Sequence, residues 1–293
     1  MEANISEWLN LSLRWLHLVA GISWIGSSFY FVWLDRHIVP PETKDENIAG
    51  SLWMVHSGGF YRVEKRYLAA GQVPPVLHWF KWEAAFTWLT GLCLLILVYY
   101  LGGILVDAGV QNYSSAALAG IGMGCLIVSW AVYDLLWISP LAKNDLFASL
   151  VSYLLLVGLS YFLTTVFSAR AAYLHVGAVL GTIMVANVWM RILPAQRQMI
   201  AATQSGQARN MALAHRAKQR SVHNSYMTLP VLFLMVSHHY PSTYGHELNW
   251  LILAVLVLVG VALRHHLIVQ SKATWGLVAA SILAMILLCY VTA

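Results

Sequence analysis

Twelve histidines punctuate a chain that is 59% hydrophobic and only 10% charged, and His17, His78, His175, His223, His238 and His239 lie inside or at the ends of long apolar runs. A neutral imidazole held in hydrocarbon keeps a ring nitrogen that needs a donor, an acceptor or a metal, so these positions point to proton transfer or to ligation of a metal or haem. Depth sorts four of them into two layers. At about 1.5 Å per residue, His17 and His175 fall roughly 6–10 Å to the outer side of the midplane, and His78 and His223 roughly 12–17 Å to the inner side. In the outer layer His17 shares a helix face with Gly21, Trp24 and Ser28, and the small residue admits either a flat ring or a closely packed neighbouring helix. His175 is the natural partner as a haem or metal ligand, with His238, His239 and His246 as further candidates.

The inner layer carries more functional groups. The string His78-Trp79-Phe80-Lys81-Trp82-Glu83 is followed by Thr87 and Thr90 on the face of Glu83. A carboxylate there must be paired or protonated, which suits proton handling or an ion pair fixing helix register. Lys81 is too near in sequence to serve, so the partner is sought in Arg191, in His223 or, with an intervening cation, in Asp134. The run Val222-His223-Asn224-Ser225-Tyr226 adds an amide and hydroxyls, and Asn187 and Arg191 project one turn apart. A basic pocket rimmed by Trp79, Trp82 and Phe60 would stack and hydrogen-bond a flat anionic heterocycle; the same tryptophans also suit a membrane-interface belt.

These residues need long helices to position them. With a mean hydropathy of +0.67 over 293 residues, apolar stretches of about 20 residues recur, as in polytopic membrane proteins. The expected fold is all-α, a single integral membrane domain over 1–293, with spans near 8–34, 77–102, 115–138, 146–168, 171–193, 222–241, 247–268 and 274–292. That makes about eight. Blocks such as Leu92–Leu101 lack the alternation of a membrane β-barrel. The opening MEANISEW has no basic leader, so the first run is expected to stay as a span. Cys93, Cys125 and Cys289 form neither a CxxC pair nor a CxxCH haem-attachment motif, so no covalent haem c is encoded.

Lysine and arginine crowd one side, from Arg36 and Lys44 through Arg209, Arg216, Lys218 and Arg220 to Arg264 and Lys272, and leave little beyond Arg14 and Arg170 on the other. Both termini are therefore expected outside a bacterial inner membrane, in the periplasm, with long basic loops at about 37–76 and 194–221 in the cytoplasm. The net charge of +5 follows from this asymmetry and the anionic inner leaflet, without nucleic acid. The second loop suits either an amphipathic interfacial helix or a solvated basic linker, and Ser57-Gly58-Gly59 a turn in the first. The loops divide the chain into halves of about 1–168 and 169–293. Trp15-Leu16-His17-Leu18 beside Tyr173-Leu174-His175-Val176 suggests a parallel repeat of four helices.

Five strings, GGFYRVEK at 58–65, LHWFKWEAAFTWLTG at 77–91, VYDLLWISPL at 132–141, LHVGAVLGTIMVANVWMRILPAQR at 174–197 and SVHNSYMTLPVLFLMVSHHYP at 221–241, resemble the membrane domain of the bacterial cytochrome-c-linked urate oxidase family. The resemblance spans essentially the whole chain. It implies oxidation of urate to 5-hydroxyisourate without hydrogen peroxide, with electrons passed to cytochrome c. Family members commonly carry a C-terminal cytochrome c domain, and this chain stops at Ala293, so either the sequence is a piece of a longer protein or a separate cytochrome c or other respiratory acceptor is expected. On this basis Arg62, Lys65, Lys81 and Arg191, with Trp82, Asn224 and Tyr226, bind urate; His78, Glu83 or His223 accepts a proton; and a haem b on His17 and His175 receives electrons. The first span, RWLHLVAGISWIG at 14–26, also resembles the first helix of membrane proteins related to a haem-binding protoporphyrinogen oxidase and a copper importer. Two other readings use the same residues: a purine transporter, which needs no redox centre, and a haem or copper protein with another substrate, with Met184, Met190 or Met227 as soft ligands.

Overall fold

Apolar runs become long helices whose starts are set by side chains that accept from the first free N–H groups. The computed structural model describes residues 2–40, 47–106, 113–208 and 210–293; Lys44 and Arg209, counted above on the basic side, lie outside them. Ser114 accepts from the Ala117 amide ahead of α3 (Ser115–Ile138), Asn144 from Phe147 ahead of α4 (Asp145–Val166), Ser168 from Ala171 ahead of α5 (Ala169–Ala186), and Asn210 from Leu213 ahead of α7 (Met211–Val236). The long α1 (Glu2–His37) opens the chain, and α2 (Trp82–Leu94) runs on through a π segment, Leu95–Tyr100. A second π segment, Asn187–Ile192, links α5 to α6 (Leu193–Gln204). The short α8 (Pro241–Tyr244) precedes α9 (Asn249–Val269) and α10 (Trp275–Val291).

Seven helical runs among the described residues are long and apolar enough to cross a membrane. The eighth expected span corresponds to α7, whose first half carries Arg216, Lys218 and Arg220 and is too polar to qualify on composition. α5 is central: Ala172, Val176, Val179 and Ile183 are buried against Leu126 of α3, Leu163 of α4, Leu234 of α7 and Leu253 of α9. Outside, Trp15, Leu16, Leu18 and Ile22 of α1 and Ile282, Leu283 and Leu287 of α10 are exposed, a surface that suits hydrocarbon rather than water. Pro230 lies inside α7 and seats its ring on α9 at Gly260, where a Cβ would lie 3.0 Å from the proline.

Three expectations need correction. The stretch 37–76 is not all loop: β1 (Ile48–His56) and β2 (Gly59–Arg66) pair antiparallel, joined through Ser57 and Gly58, both at positive φ. That backbone is the two-residue turn whose twist matches paired strands. α2 begins at Trp82 rather than 77, so His78 sits in the irregular segment before it. The expected basic loop at 194–221 is neither linker nor separate interfacial helix. Pro194 occupies the first turn of α6, where its missing N–H costs nothing, so the fifth span continues to Gln204 and α7 starts at Met211.

Candidate functional site

Three helices converge on a polar cluster. The wider turn of the π segment carries Asn187 and Arg191 towards α3 and α7, a distortion that recurs at functional sites. Arg191 makes a two-pronged contact with the Asp134 carboxylate, its Nε 2.9 Å from Oδ1 and its Nη2 on Oδ2. Arg220 of α7 approaches from the other side, its Nη2 2.9 Å from Asp134 Oδ1, with its guanidinium over the Tyr133 ring at 4.8 Å. Asp134 is 4% exposed and Arg220 2%. Two cations on one carboxylate leave the buried cluster with one net positive charge.

The hydrogen bonds fix how the neutral members point. The Met184 carbonyl can only accept, so Asn224 presents its amide nitrogen there, at 2.8 Å. Asn224 Oδ1 then faces Asn187, whose Nδ2 donates to it at 2.9 Å and to the Tyr133 hydroxyl at 3.1 Å. The hydroxyl lies 2.8 Å from His223 Nδ1, to which it donates when that nitrogen carries no hydrogen. His223 packs on Trp137 with ring centroids 4.0 Å apart, and Trp137 is held by its Nε1–H to Ser152 Oγ at 3.0 Å. This leaves two buried atoms without a partner: Asn187 Oδ1, an acceptor, and Arg220 Nη1, a donor. They lie on residues that flank Tyr133. A buried acceptor and a buried donor left in this way can be completed by another molecule.

The next residue on α7 faces the opposite way. Ser225 accepts through Oγ from Arg264 Nη2 at 2.7 Å and from Nε at 3.2 Å, and the Arg264 guanidinium lies 3.7 Å from the Phe29 ring of α1. Beside it the Tyr226 hydroxyl meets His265 Nδ1 at 2.7 Å. Arg264 is 3% exposed, and no carboxylate pairs with it among the described residues.

Of the residues expected from sequence, Arg191, His223 and Asn224 come together at Asp134, and Tyr226 stands on the other face of α7. Arg62 and Lys65 lie exposed on the hairpin, paired with Glu64 at 2.8 Å and Asp35 at 2.7 Å. Lys81 hangs over Trp79 and Trp82, and Trp82 meets Trp189 of the π segment edge-on at 5.6 Å. His78 is exposed, and no hydrogen bond or ion pair joins it to Glu83 or His223 among the described residues. Among the described residues Glu83 pairs with neither Arg191 nor His223: Arg191 is engaged by Asp134, and Glu83 Oε2 is buried without a partner. Arg220 and Tyr133 are the site residues that sequence reasoning left unassigned, while Asn187 had been placed only beside Arg191 in the expected pocket.

His17 donates from Nδ1 to the Thr87 carbonyl at 2.9 Å, with Thr90 Oγ1 at 3.1 Å, which leaves Nε2 open. His175 is fully buried with both nitrogens engaged, Nδ1 with the Ala171 carbonyl at 2.7 Å and Nε2 with the Tyr100 hydroxyl at 3.1 Å. Phe167 stacks on its ring at 4.5 Å, and a Cβ at Gly122 would come within 2.7 Å of Nε2. Iron has no access to that nitrogen, so His17 and His175 as arranged do not fit the axial pair of a haem. His238 and His239 lie ring to ring at 3.8 Å, and His246 caps the approach to α9 by accepting from the Leu248 amide at 3.0 Å. No three His, Cys, Asp or Glu side chains come together as a metal site among the described residues.

A family model described as urate oxidase N-terminal matches residues 3–293. No curated protein and no solved structure matches the chain.

Proposed function

The chain belongs to the urate oxidase N-terminal family, and from that premise we propose that it is a membrane oxidoreductase that converts urate to 5-hydroxyisourate at the Asp134 cluster. Electrons pass to an acceptor of the cytochrome c class. The overall change is urate plus water to 5-hydroxyisourate, two electrons and two protons. The site must therefore hold a flat anion, take up protons and admit water.

One observation carries the assignment: an unpartnered buried acceptor, Asn187 Oδ1, and an unpartnered buried donor, Arg220 Nη1, in a cluster with excess positive charge. A urate monoanion offers the complement, with ring N–H and carbonyl groups alternating around its edge. In this reading Arg220 donates to a urate carbonyl and Asn187 accepts from an adjacent N–H. The net charge offsets the anion, whose transfer from water is otherwise costly. Arg191, with 41% of its side chain exposed, forms the outer edge through which urate enters.

Proton removal runs through Tyr133. Its oxygen receives a proton from urate as its own hydrogen moves to His223 Nδ1, so the phenol ends neutral and the imidazole becomes the cation. His223 suits this role because its Nδ1 already lies 2.8 Å from the Tyr133 hydroxyl and can take that proton. The excess of Lys and Arg at this end of the helices supports a cytoplasm-facing site in the inner membrane.

Steady-state urate consumption with ferricytochrome c tests the assignment. His223→Gln is expected to lower kcat on the order of 10²-fold with little change in KM, within the usual range for losing a general base. A His223→Gln variant with the wild-type kcat would remove the cluster from catalysis.

A further inference from the structure

Arg264 presents a buried guanidinium whose counter-charge no described side chain supplies. We infer that the junction of α1, α7 and α9 around Arg264 is a second anion site, distinct from the Asp134 cluster, which takes a small planar organic anion presenting two acceptor atoms on one carbon. The inference rests on the urate reading only for the probe chosen, since urate is such an anion.

The geometry defines the ligand. Ser225 occupies the Nε–Nη2 side of the fork through its Oγ and carbonyl oxygen, at 2.7–3.2 Å. The end-on edge, Nη1 with the outer hydrogen of Nη2, has no partner among the described residues. That edge matches two coplanar acceptors bidentately, as a carboxylate or a deprotonated N–C=O unit provides. Phe29 covers the guanidinium, its ring 3.7 Å away. Tyr226 and His265, joined at 2.7 Å, add a polar wall that can donate. A lipid phosphate suits the place less well: Arg264 is 3% exposed and lies five residues before Val269, the end of α9, which puts it about 7–8 Å below the helix terminus.

Equilibrium dialysis of urate against the full chain in zwitterionic nanodiscs, with inorganic phosphate as the second probe, decides the matter. Two urate equivalents per chain are expected, falling to one in Arg264→Gln and, independently, to one in Arg220→Gln. Should Arg264→Gln not fold, Arg264→Lys keeps the charge but loses the fork, and about tenfold weaker binding of one equivalent is expected. Unchanged stoichiometry and affinity in the Arg264 variants would overturn the inference while leaving the Asp134 reading intact. One equivalent lost with Arg264 and retained without Arg220 would support the Arg264 site and overturn the other. Phosphate competing as well as urate at the Arg264 site would overturn the planar organic assignment.

Discussion

Asn224 and Ser225 are neighbours on one helix, yet the two faces of α7 handle buried charge in opposite ways. Towards α3 and α5, Arg191 and Arg220 share the Asp134 carboxylate, and Tyr133, Asn187, Asn224 and His223 complete a bonded network. Towards α1 and α9, Arg264 has a serine and an aromatic face and no carboxylate. A compensated cluster depends on every member, because removing one strands the others. A lone buried cation strands no charge when it goes, only the Ser225 oxygens that it bonds.

The largest effect should come from breaking the compensated face. Asp134→Ala leaves Arg191 and Arg220 without their anion and is expected to cost about 3–5 kcal/mol of stability, read as a lowered thermal unfolding midpoint in detergent. Tyr133→Phe should keep most of the stability and lower kcat on the order of 10²-fold by cutting the relay to His223. The seam of the other face is probed by Gly260→Ala. Its new Cβ would meet the Pro230 ring at 3.0 Å, and overpacking of this kind costs about 1–3 kcal/mol, with kcat for urate unchanged because the Asp134 cluster lies across α7. The smallest effect is expected from Arg264→Met, which removes an uncompensated buried charge and should shift stability by less than about 1 kcal/mol in either direction. A loss as large as that of Asp134→Ala would show that the two faces are not different in kind.

Much of the fold was legible because apolar length is a direct signal, and the helices from α3 to α5 and α9 to α10 follow their hydrophobic runs closely. The hairpin was hidden because Ile48–His56 and Gly59–Arg66 mix apolar, basic and small residues without clean alternation; only the Ser57-Gly58-Gly59 turn showed. The extension of α5 through Leu193–Gln204 was masked by Pro194 and by basic residues, which suggested a loop. The site was half legible. His223, Asn224 and Arg191 stand out as polar residues at the ends of apolar segments. Arg220 was counted with the basic loop and Arg264 with the general charge bias, so neither was given a partner. The spacing Arg220, His223, Asn224 is i, i+3, i+4 on one helix, which places all three on one face and would have revealed the cluster. Nothing in sequence shows that Asn187 Oδ1 lacks a partner, since that follows from hydrogen bonds among three helices.

The most direct test is anaerobic urate binding by the wild-type chain and by Arg220→Gln, a change that leaves Asp134 paired with Arg191. The account predicts that one equivalent of urate binds at least tenfold more weakly in the variant while its thermal midpoint stays close to the wild-type value. Full retention of wild-type affinity and stoichiometry by a folded Arg220→Gln chain would contradict it.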